Sequence, residues 1–93
     1  MEQMQETRKI PGKPASEVYQ SILLAAPKAG LQVWKRRDIA WLAMVRSGTD
    51  HDSVNGNVSV RPGAEVTIAL TGLNKEDLHS YAAALFKEIG AQE

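Results

Sequence analysis

Cysteine is absent from the 93 residues, which excludes disulfides and thiolate metal sites but says nothing of compartment. Also missing is any apolar run near the roughly 20 residues that a membrane-spanning helix needs. Residues 1–6, Met-Glu-Gln-Met-Gln-Glu, hold no apolar segment of a signal peptide, so the cytoplasm is the expected location and no membrane role is expected. Charge of one sign is lacking as well, because 11 basic and 11 acidic residues cancel to a formal net charge of zero. Domains that live on nucleic acid or anionic membranes usually carry a basic excess, so nucleic-acid binding is demoted. Aromatic residues make up only 5% of the chain, and two of them are tryptophans, Trp34 and Trp41. Their placement therefore weighs heavily in any search for a binding surface.

What is present is an ordinary globular composition, 43% hydrophobic and 24% charged. The length suits one core, so residues 1–93 are assigned to a single domain. The longest apolar stretch is residues 39–45, Ile-Ala-Trp-Leu-Ala-Met-Val, bounded by Arg37 and Asp38 before and Arg46 after. An unbroken apolar run of that length predicts a central strand covered on both sides. Before it, residues 4–10 are polar and loosely alternating, which suits an edge strand. Pro14 suits the first turn of a helix whose stripe is Val18, Ile22, Ala25, Ala26 and Ala29. Pro27 should end or kink that helix near Ala26, with Gly30 as the left-handed exit if it runs on.

Alternation from Leu31 through Val33 to Lys35 predicts a second strand, with Arg36, Arg37 and Asp38 as the turn into residues 39–45. Val54, Val58 and Val60 are the inward set of the next strand, and Asn55-Gly56 within it is read as a bulge in preference to a hairpin turn that would delay the strand to Asn57. Val66, Ile68 and Leu70 mark the strand after Arg61-Pro62-Gly63-Ala64. A two-residue Pro-Gly loop would pair Val60 with Glu65 and put the two valine-rich sets on opposite faces of the sheet. A three-residue loop pairs Val60 with Val66 and Val58 with Ile68, and burial of one face selects it. Asn74 is placed to cap the last helix, with Asp77 in capping-box position and Leu73 and Leu78 spaced for a hydrophobic staple. Leu78, Ala82, Leu85 and Ile89 form its buried stripe, and Gly90 ends it.

The predicted fold class is α+β, a two-layer sandwich in which a five-stranded antiparallel sheet, ordered βαββββα along the chain, carries two helices on one face. This order of elements resembles the TBP-like superfold and a shortened form of the helix-grip fold of START and Bet v 1 type proteins. The resemblance implies a sheet order of 1-5-4-3-2. It carries over no functional residue, because it rests on element order alone.

Chemistry-bearing motifs are few. Asp50-His51-Asp52 places oxygen and nitrogen donors in one loop, but the other histidine, His79, falls on the last helix, so no metal site or cofactor is expected. No nucleophile elbow and no phosphate-binding glycine loop occurs, so no catalytic residue is assigned. Lys35, Arg36 and Arg37 form the one basic cluster and are the candidate phosphate contacts. The principal candidate is the open face of the sheet. If Arg37 and Asp38 alone make the turn, Trp34 faces Trp41, and Leu31, Val33, Leu42 and Met44 line the core. Trp34, Trp41, Ile39, Ala43 and Val45 then share the open face with Asn57, Ser59, Arg61, Glu65 and Thr67. A three-residue turn would instead put Trp41 inside with Val33 and leave Ala40, Leu42 and Met44 outside. The first register predicts an interaction domain that binds a protein partner or a second copy of itself through Trp34, Trp41, Ile39, Ala43, Val45, Arg61 and Thr67. Small apolar ligand binding and nucleic-acid binding rank below it.

Overall fold

Alternating apolar residues and two amphipathic stripes build one sheet and the layer that covers it. The computed structural model describes residues 2–47 and 54–90. In chain order these form β1 (Glu2–Lys9), α1 (Ala15–Lys28), β2 (Gln32–Arg37), a 3-10 turn (Asp38–Ala40), β3 (Leu42–Ser47), β4 (Val54–Arg61), β5 (Glu65–Gly72) and α2 (Lys75–Glu88). The strands make a single sheet in the order β1-β5-β4-β3-β2, with every neighbouring pair antiparallel. The fold is α+β with the expected element order and strand order. Neither described helix is long and apolar enough to cross a membrane.

β4 is the central strand, and its pairing with β5 follows the hydrophobic pattern. Val60 pairs with Val66 and Val58 with Ile68, and all four are buried beneath the helices. The loop is therefore Pro62-Gly63-Ala64, with Gly63 at φ 92° and Ala64 at φ 60°. Ala64 is held in that left-handed conformation because its carbonyl accepts a 2.9 Å bond from the Ile10 N–H, tying the loop to the end of β1. The bulge expected at Asn55-Gly56 is absent, because Val54, Gly56, Val58 and Val60 already alternate strictly. Gly56 sits in register between Val45 and Leu70. A Cβ there would collide with the Ala69 carbonyl oxygen and lie 2.9 Å from Leu70 Cα, so the strands approach this closely only at glycine.

α1 packs over β2, β3 and β4, and α2 over β1 and β5. Val18, Tyr19, Ile22, Ala25 and Ala26 are the buried face of α1. Pro27 does not end this helix. It lies in the last turn, where its missing N–H costs only one bond, and the helix runs to Lys28. The Leu31 N–H then closes on the Ala26 carbonyl at 2.9 Å, and Gly30 at φ 86° makes the exit. In α2, Asn74 Oδ1 accepts a 2.9 Å bond from the Glu76 N–H, and Leu78, Ala82, Leu85 and Phe86 are buried. Leu78, expected to form a staple with Leu73, is fully buried, whereas Leu73 stays 60% exposed.

Both sheet edges carry charge. On β1 the even-numbered side chains point toward the helices, and Arg8 lies 4.6 Å over the Phe86 ring while its Nε pairs with Glu6 at 2.8 Å. Lys35, Arg36 and Arg37 lie along β2, which blunts that edge against further strand pairing.

Candidate interface on the open sheet face

The β2–β3 ribbon decides which side chains reach the open face, and it departs from the expected register. Arg37 pairs with Leu42, Arg36 with Ala43 and Lys35 with Met44, but Val33 pairs with Val45. Trp34 is the extra residue of a β-bulge. A single inserted residue reverses the sidedness of everything beyond it, so Val33 and Val45 share the helix-covered face. Ala43 and Val45 are fully buried there, which removes both from the candidate surface. Leu42 and Met44, expected in the core, lie half-buried on the open face. This is the sidedness that a three-residue turn would have given, reached instead by a bulge and a four-residue connection.

That connection replaces the first half of the expected central strand. Asp38–Ala40 form a 3-10 turn, and Trp41 ends it in the left-handed region at φ 50°. A helix-layer residue pins the turn: the Tyr19 hydroxyl donates to Asp38 Oδ1 at 2.7 Å, and Arg36 Nε reaches the same oxygen at 3.3 Å. Burial, reinforced by the Asp38 carboxylate, pushes the Tyr19 phenol up from 10.0 to about 12. The Trp41 carbonyl accepts from the Val60 N–H at 3.0 Å, and its half-buried side chain packs against the core instead of facing Trp34. Ile39, at the tip of the turn, is fully exposed and apart from the sheet face.

Trp34 remains where it was expected. It is 47% exposed, and Arg46 lies 5.6 Å over its ring. Arg61 and Thr67 are also on the open face, where Thr67 Oγ1 lies 2.9 Å from Thr7 Oγ1 across the β1–β5 pair. Of the basic cluster, Lys35 and Arg37 face outward with Met44 and Leu42, whereas Arg36 shares the side of Ala43 and is paired to Asp38.

Register assigns the rest of the face. Among the described residues, Lys9, Lys35, Arg37, Arg46 and Arg61 share it with one carboxylate, Glu65, so the strands of a chain with zero net charge turn a basic side outward. Between these charges lies a groove of about 470 Å³, bordered by Trp34 and Met44 and lined by Gln3, Gln5, Asn57 and Thr71. Sequence reasoning placed Asn57 on this face but did not single out Gln3 or Gln5. The alternation of β1 and β4 carried the signal, but it became legible only once β1 was paired with β5. Among the described residues, no group of three His, Cys, Asp or Glu side chains is arranged to hold a metal ion. Asp50-His51-Asp52 lies outside the described residues, and His79 is exposed on α2. No family model matches the chain, and no curated relative matches it.

Proposed function

We propose that this chain is an interaction domain that binds a separate, anionic macromolecule through the open face of its sheet. The observation that carries this is the charge segregation: among the described residues, five cations and one carboxylate lie on the sheet face that neither described helix covers. Among the described residues, the apolar part of that face is Trp34, Leu42, Met44 and Ala69, because Ala43 and Val45 are buried and Trp41 packs on the core. A two-fold contact between copies would oppose the same cations, so a partner of opposite charge fits better than a second copy. A cytoplasmic setting and a TBP-like ancestry of the fold belong to the same proposal.

Retention on a polyanionic resin tests it. Lys35→Glu with Arg61→Glu should abolish retention, whereas Lys28→Glu with Lys87→Glu, on the helices, should leave it unchanged. Equal loss in both pairs would sink the assignment to the sheet face.

Small apolar ligand binding is a second reading, favoured by a notch of about 480 Å³ where α1 meets the β2 edge, lined by Leu23, Pro27, Leu31 and Val33. An apolar dye whose binding is lost in Leu23→Asp, with folding intact, would support it.

A further inference from the structure

We infer that the anionic partner is single-stranded nucleic acid, its phosphates tracking the cations and an unpaired base entering the amide-lined groove against Trp34. This rests on the open-face reading above and adds the identity of the partner. A surface for an acidic protein needs only the positive charges. Here the groove between them is uncharged, and its lining is suited to the edge of a flat heterocycle.

Gln3, Gln5 and Asn57 each offer a side-chain carbonyl acceptor and an amide donor, the pairing that base edges require. Trp34 stands at the rim, 47% exposed, with a ring face for stacking. Its neighbour Arg46 provides a planar cation of the kind that stacks on bases and reaches phosphate. The groove volume of about 470 Å³ lies within the range of small-ligand sites, about 300 to 1,000 Å³. Lys35 and Arg37 flank Trp34 on one side, and Arg61 and Lys9 line the far end of β4 and β1, so the charges follow the face instead of meeting at one point. A duplex keeps its bases stacked and out of reach of such a groove. Unpaired strands present both the base face and the backbone at once.

The test is fluorescence anisotropy of the whole chain with labelled mixed-sequence single strands of about 15 nucleotides, near the upper site size for sheet-borne binders. A duplex of the same length, polyphosphate and polyglutamate are the comparison ligands. Single strands should bind at least tenfold more tightly than any of these three. Trp34→Ala should weaken that binding about 5- to 150-fold, the equivalent of about 1 to 3 kcal/mol for one stacked base, and Trp34→Phe should recover most of it. Lys35→Ala and Arg37→Ala should each flatten the dependence of log K on log salt by about 0.7. Thermal melting of the variants separates lost binding from lost folding.

Equal affinity for duplex, polyphosphate or polyglutamate, or a folded Trp34→Ala that binds like the wild type, would overturn base recognition. Tight binding to polyglutamate alone would do so while leaving the anionic-partner reading standing. Failure to bind any of the four ligands would remove both.

Discussion

Two residues hold positions on which the packing of the sheet depends. Tyr19 passes from the α1 core to the sheet corner and bonds Asp38, so the turn that sets the β2–β3 register is anchored by the helix layer. The raised phenol makes this anchor sensitive to alkali. Because the folded-state value is above the ordinary one, the contribution is complete below pH 10.0 and is lost as pH rises through about 12. Tyr19→Phe should therefore be less stable at neutral pH but fall less steeply between those limits, which denaturant titrations across the range will measure. Gly56 is the second such residue. Gly56→Ala would force its methyl into the Ala69 carbonyl and the Leu70 backbone, and should cost about 1 to 3 kcal/mol or more in urea unfolding. A neutral result would mean that β4 and β5 can separate there without loss. Trp34 was legible as a surface residue from its alternation, but Ala43 and Val45 were not legible as core, since their sidedness depends on a bulge several residues away.

At the scale of elements, the helices follow local chemistry closely and the β2–β3 ribbon does not. Asn74 caps α2 as its position predicts, so Asn74→Ala should destabilise the protein by about 0.5 to 2 kcal/mol, seen as a lower melting temperature. An unchanged melting temperature would show that the exposed bond to the Glu76 N–H is replaced by water at no net cost. Pro27 illustrates the limit of a local rule: a proline in the last turn removes one bond and leaves the Leu31 and Gly30 closure intact. In the ribbon, the apolar residues 39–45 end in different places, with Ile39 exposed and Leu42 and Met44 on the open face. Ala43 and Val45 fill the core from a strand, and Trp41 packs on it from a left-handed turn position. Composition cannot separate those cases.

Over the whole molecule, one apolar layer between sheet and helices carries stability, and the described helices leave one face of the sheet uncovered. Leu85 is fully buried beneath α2, so Leu85→Ala should cost about 2 to 5 kcal/mol. Against about 5 to 15 kcal/mol for a typical domain, that loss would shift the urea midpoint strongly. Sedimentation equilibrium should find the chain monomeric, most clearly at low salt, since the uncovered faces of two copies repel; a dimer broken by Trp34→Ala would return self-association to consideration. The amino-acid sequence by itself determined the α+β class, the element order, the buried stripe of α2 and the β4–β5 register. Each of these depends on residues close in the chain or on one hydrophobic alternation, and burial of one face penalises any slip. Only the tertiary structure decided which charges share the open face, that Trp34 bulges and Trp41 turns inward, and that Gln3, Gln5 and Asn57 meet in one groove. Those outcomes follow from pairing β1 with β5 across the length of the chain and from the Tyr19–Asp38 bond, and such long-range contacts leave no periodicity in the sequence to be read.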